Sequence, residues 1–144
     1  MTASAAASDP AGSMGGMSEQ STGAPEPSVF SRIVAREIPA DVVHETDDLI
    51  AFRDIEPKAP VHLLVVPKTE RYRDVVELAA GDPALLADLV ATADALSRSV
   101  DAFGDHAGGE FRLVFNTGPS AGQTVFHVHA HVLGGPLEEG SLAH

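Results

Sequence analysis

The sequence predicts an α+β domain, a mainly antiparallel five-stranded sheet carrying one short and one long helix. Three observations lead there. Val42-Val43-His44-Glu45 and Leu49-Ile50-Ala51-Phe52-Arg53 flank Thr46-Asp47-Asp48, the pattern of a β-hairpin. His62-Leu63-Leu64-Val65-Val66 is an unbroken apolar run, as expected of a central strand buried on both faces and closed by Pro67. Behind Asp82-Pro83, an N-cap followed by proline at the first helical position, apolar residues recur every three or four positions from Leu85 through Leu89, Ala93, Leu96 and Val100 to Phe103.

The remaining elements follow in order. Residues 1–27 are rich in Ala, Ser, Gly, Thr and Pro and hold no Ile, Leu, Val or aromatic residue, so a disordered tail is expected there. Met14 and Met17 lie within it, which makes a later translation start an expectation as well. A folded domain is expected over residues 28–144. It opens at Ser28, an N-cap for the short helix Val29–Arg36, which Pro39 is expected to break. The long helix is expected to run to Phe103, ended by Gly104 and Gly108-Gly109. Two further strands, Glu110–Asn116 and Thr124–Leu133, complete the sheet around the loop Gly118-Pro119-Ser120-Ala121-Gly122.

Composition narrows the function. One domain is expected from 144 residues, large enough to bury a core without staples. The absence of cysteine excludes disulfides, zinc-thiolate sites and thiol catalysis. Nine basic against 21 acidic residues give a formal net charge of −12, which argues against nucleic acid or an anionic membrane as partner. No basic residue precedes Arg32, and no run is long and apolar enough to cross a bilayer, so a soluble cytoplasmic protein is expected.

The chemistry is expected at His127-Val128-His129-Ala130-His131. A strand sends alternate side chains to one face, so three imidazoles would line one wall while Val128, Ala130 and Val132 enter the core. Imidazole attacks, donates and accepts protons near neutral pH. The rival is a metal module, since alternate histidines can share an ion. Positions 127 and 131 are about 13 Å apart on an extended strand, so all three cannot reach one tetrahedral centre, although two could. No metal and no cofactor are expected. His62 opens an apolar strand and reads either as a satisfied core histidine or as a functional one. His44, His106 and His144 read as surface residues.

The run Gly122-Gln123-Thr124-Val125-Phe126-His127-Val128-His129-Ala130-His131-Val132-Leu133-Gly134-Gly135 closely resembles the histidine-triad signature of the HIT superfamily, in its Hint branch. Upstream, Phe30 through Pro39-Ala40, then Ala51-Phe52-Arg53-Asp54-Ile55 with Pro57, Ala59-Pro60 and His62, resembles the family's N-terminal half. The likeness implies a HIT-like fold and a homodimer with a sheet continuous across two subunits. It implies hydrolysis of nucleoside 5′-phosphoramidates or aminoacyl-adenylate-like substrates, releasing a nucleoside monophosphate. Histidine rather than glutamine at His131 points away from nucleotidyl transfer, and Gly134-Gly135 favours this branch over the dinucleoside polyphosphate hydrolases. A dinucleoside polyphosphate hydrolase, and a metal-binding or nucleotide-binding scaffold without significant turnover, are the remaining alternatives.

By the same resemblance His129 is the nucleophile that forms a nucleotidyl-histidine, and His131 contacts phosphate and helps protonate the leaving nitrogen. His127 and His62 fix the tautomer and orientation of His129. Asn116, Gln123 and Thr124 join His129 and His131 as candidate phosphate contacts. Asp54 resembles the ribose-binding acid, although a turn residue would look the same. Val29, Phe30, Ile33, Phe52 and Ile55 are candidates to sandwich a purine, and each would also be apolar as plain core. Three departures stand out: Thr124 replaces serine, Thr69-Glu70-Arg71 stands where a histidine is usual, and residues 136–144 carry no tryptophan. The last implies a different leaving-group preference.

Overall fold

A computed structural model describes residues 27–138. The expected tail therefore lies, apart from Pro27, outside the described residues, as do residues 139–144. Helix α1 (Val29–Val34) leads into the hairpin β1 (Val42–Glu45) and β2 (Leu49–Arg53), followed by β3 (Val61–Pro67). Helices α2 (Val75–Gly81), α3 (Pro83–Ser97) and α4 (Val100–Phe103) come next, then β4 (Arg112–Val114) and β5 (Ala130–Gly134). The five strands form one sheet in the order β1-β2-β3-β5-β4, every neighbouring pair antiparallel. The α+β architecture is as the sequence led one to expect.

Both faces of the sheet are covered, which is why β2 and β3 read as continuous apolar runs. Leu49, Ala51, Leu63 and Val65 point to one face and pack with Leu78, Leu89, Ala93 and Phe103 from the helices. Ile50, Phe52, Leu64 and Val66 point to the other and meet Phe30 and Ile33 of α1. Leu64 is paired with His131 and His62 with Leu133 across β3 and β5, so His62 and His131 emerge on the α1 face.

Four local expectations need correction. The long helix is divided: α3 stops at Ser97, whose hydroxyl donates to the Asp94 carbonyl at 2.7 Å, and α4 restarts under a new N-cap, Ser99. Helix α2 was not expected. Its start is firmly capped, with Asp74 accepting from Glu77 N–H at 2.9 Å while Glu77 accepts from the N–H of Arg73, one residue before the cap, at 2.9 Å. Helix α1 ends at Val34, before Arg36 turns left-handed at φ 64°, so Pro39 is not what breaks it. The last two strands are shorter than the apolar pattern, Arg112–Val114 and Ala130–Gly134. Residues 124–129 lie outside the ladder, and the Val128 N–H bonds Tyr72 O at 3.0 Å instead.

The glycine pair after the histidines has a packing reason. A Cβ on Gly134 would come within 2.3 Å of the Phe103 ring, and Gly135, at φ +103°, would bring one within 2.7 Å of Pro60. β5 therefore lies close on α4 at the very end of the histidine row.

Candidate active site

Although only His131 lies within β5, the alternation expected of a strand persists through the segment before it. Val128, Ala130 and Val132 enter the helix-side core, while the three imidazoles share the α1 side. Phe30 stands edge-on to two of them, 5.8 Å from the His127 ring and 4.8 Å from the His129 ring. The rings of His129 and His131 are 5.3 Å apart, and those of His131 and His62 are 5.2 Å apart.

Main-chain groups decide where the hydrogens sit. A carbonyl can only accept, and an amide N–H can only donate. His129 Nδ1 is 2.8 Å from the His127 carbonyl, so Nδ1 carries the hydrogen and Nε2 keeps its lone pair. Among the described residues no group bonds that Nε2. His62 faces the opposite constraint: its Nδ1 accepts from the Lys58 N–H at 3.0 Å, so its hydrogen is on Nε2. That hydrogen goes to His131 Nδ1 at 2.9 Å, which puts the hydrogen of His131 on Nε2. Neighbouring rings thus present opposite functions, a lone pair on His129 and an N–H on His131.

Burial keeps these rings neutral, because it disfavours the charged form. Desolvation lowers His129, opposed by its bond to the His127 carbonyl and by Asp54. His131 is pushed down to about 4, first by burial and then by the neighbouring His129 and His62. His62 and His127 are lowered chiefly by burial as well. His127, 2% exposed, donates from Nε2 to the Pro67 carbonyl at 2.6 Å and meets Ser28 Oγ at Nδ1, also at 2.6 Å.

Other candidates sort into distinct roles. Asp54 is both turn residue and site residue: Oδ1 accepts from Glu56 N–H at 2.8 Å while Oδ2 lies 3.5 Å from His62 Nε2. Gln123 is buried and engaged with main chain, donating to the carbonyls of Arg73 at 2.6 Å and Val125 at 3.0 Å and accepting from Gly118 N–H at 2.8 Å. Both of its amide hydrogens are thereby taken, so it braces the loop before the histidines and has none left for phosphate. Thr124 is exposed and Asn116 half-buried. Phe30, Ile33 and Phe52 are buried together, the two phenyl rings 5.8 Å apart, whereas Val29 and Ile55 are 41% and 91% exposed. The five apolar candidates therefore do not form one wall.

Asp54, His62 and His131 also bring one possible ligand atom each within 4.8 Å of the others. This is a different trio from the alternate histidines of the metal rival. Its chemistry opposes a metal, because a ligating histidine normally donates its other N–H to an acceptor. His62 Nδ1 instead faces a donor, Lys58 N–H, so Nε2 cannot offer a lone pair while that bond stands. Sequence reasoning missed Lys58 and Pro67, since main-chain groups leave no mark in residue type, and it saw Ser28 only as a cap.

The HIT domain family matches residues 35–136. The chain is 44% identical over 110 residues to an uncharacterized HIT-like protein of Synechococcus elongatus, covering 76% of this chain and 91% of that one. It is 36% identical over 119 residues to the purine nucleoside phosphoramidase of Escherichia coli K12, covering 83% and 96%. Among solved structures it is similar to a HIT family hydrolase from Clostridium thermocellum, with a TM-score of 0.69, 38% identity and coverage of 78% and 94%.

Proposed function

Because this chain belongs to the HIT domain family, we propose that it is a nucleotide-binding hydrolase that cleaves purine nucleoside 5′-phosphoramidates, or related aminoacyl-adenylate-like conjugates, to a nucleoside monophosphate. The observation that carries the reading is the opposed tautomers of His129 and His131. A nucleophile needs a lone pair at neutral pH, and a leaving amine needs a proton.

In this reading His129 Nε2 forms a bond to the α-phosphorus and the bond from phosphorus to the leaving nitrogen breaks. The negative phosphate offsets the burial that holds His131 at about 4, so His131 takes up a proton at Nδ1 with the substrate; the His62 Nε2–H then turns from that nitrogen to Asp54 Oδ2, 3.5 Å away, and Asp54 balances the charge. The amine departs with the electron pair and the Nε2 proton of His131. Water then attacks the phosphorus of the nucleotidyl-histidine, returns a proton to His131 and frees the monophosphate. Val29 and Ile55 supply the exposed apolar surface a purine would cover, over the buried packing of Phe30, Ile33 and Phe52.

Incubation with an adenosine phosphoramidate and, separately, a diadenosine polyphosphate tests the substrate class. AMP release from the first, undiminished by a chelator, is expected; cleavage of the second alone would overturn it. His129→Gly should leave less than about a hundredth of turnover with AMP binding intact, and more than about a tenth would remove the nucleophile assignment. The homodimer belongs to the same proposal, since among the described residues β4 has a neighbouring strand on one side only. Light scattering should give twice the chain mass, and a monomer at micromolar concentration would refute it.

A further inference from the structure

We propose that Ser28 is a positioning residue for the nucleophile: it clamps the His127 ring and, through it, the main-chain carbonyl that sets His129. The proposal rests on the hydrolase reading above and adds a residue to it.

Two demands meet at one hydroxyl. Ser28 Oγ caps α1 by accepting from Ser31 N–H at 3.1 Å. The same atom lies 2.6 Å from His127 Nδ1, 99 positions along the chain. A hydroxyl has one hydrogen to give. Ser31 Oγ is farther away, at 3.3 Å, and gives its own hydrogen to Glu70. His127 Nε2 donates to the Pro67 carbonyl, so Nδ1 is the nitrogen with the lone pair, and the Ser28 hydrogen goes there. The ring is therefore held at both ends, by a donor on one side and an acceptor on the other.

The consequence passes to the next ring through the backbone. The His127 carbonyl receives the Nδ1–H of His129, so a displaced His127 displaces the group that leaves Nε2 of His129 unprotonated. Phe30, two residues after Ser28, rests against both rings. Ser31 anchors the same helix to Glu70 beyond the end of β3. Helix α1 is thereby fastened to the site by a hydrogen bond whose polarity matters, where apolar packing alone would be indifferent to it.

Polarity is what separates a positioning role from a structural one. Ser28→Thr keeps both cap and donor. Ser28→Gly is well tolerated as a cap but removes the group that holds His127 Nδ1. The measurements are the ring 15N shifts of His127 and His129, kcat and KM for an adenosine phosphoramidate, and thermal stability. Ser28→Thr should match the parent. Ser28→Gly should melt near the parent temperature, shift the His127 Nδ1 resonance, and lose about tenfold or more in kcat with KM changed less than about threefold. A Gly variant with the parent's ring shifts, or with altered His127 shifts and the parent's kcat, overturns the proposal. Should the parent not cleave the phosphoramidate, the hydrolase reading fails on that result alone. The shifts then decide separately: loss of the Nδ1–H form of His129 in the Gly variant supports the clamp, and its persistence refutes it.

Discussion

His62 donates from Nε2 to Nδ1 of His131 across 2.9 Å, and the direction of that bond is set by an amide outside the histidine row, the Lys58 N–H on His62 Nδ1. A backbone donor thus determines which nitrogen of His131 can deliver a hydrogen to substrate. The strand register makes this possible, since His62 pairs with Leu133 and Leu64 with His131, leaving the two histidines diagonal on one face.

Removal of His62 therefore affects protonation more than binding. His62→Leu should lower kcat about tenfold or more while KM moves less than threefold. Steady-state kinetics against the phosphoramidate check this. An unchanged kcat would show that His131 does not depend on its neighbour.

The pH dependence of kcat/KM follows from His129. Attack requires its neutral form, and burial lowers its pKa from the ordinary 6.5. The acid limb, which reports the free enzyme, should therefore lie below pH 6.5. A limb centred at or above 6.5 would contradict a buried, neutral nucleophile.

Stability should fall in the same range, for a linked reason. Folded His62, His127, His129 and His131 all bind protons less readily than the unfolded chain does. Between the two sets of pKa values the unfolded state holds more protons, so stability rises with pH. It is complete above 6.5 and declines as pH falls through that value, and the share due to His131 is fully lost below about 4. Melting temperatures measured from pH 7.5 to 5 should drop, and His131→Asn should flatten the slope. An equal slope in the variant would disprove the linkage.

Gln123 offers a test of brace against ligand. Ser or Ala there would leave the Gly118 N–H and the Arg73 and Val125 carbonyls without their side-chain partner. Gln123→Ala should cost about 2–3 kcal/mol by denaturant titration. Loss of phosphate affinity with stability untouched would restore the role first assigned to it.

Much of this was readable in the chain because the controlling forces are local or periodic. The alternating imidazoles, the doubly covered strand His62–Val66 and the caps at Ser28 and Asp82 each announce themselves through spacing. The Asp74 cap on Glu77 N–H was equally local, and the sequence reading passed over it. The break at Ser97–Ser99 escaped because apolar spacing continues to Phe103 across it, so the period alone cannot show that the helix is interrupted.

The sequence by itself determined which side chains carry the chemistry and that alternate histidines share a side, since backbone alternation is a property of the chain. Only the tertiary structure decided which nitrogen of each ring holds its hydrogen. That choice depends on Lys58 N–H, Pro67 O, His127 O and the Ser28 hydroxyl reaching within about 3 Å of particular atoms. Apart from the hydroxyl these are main-chain groups, the carbonyl common to every residue type and the N–H to all but proline, and folding alone brings them to the rings.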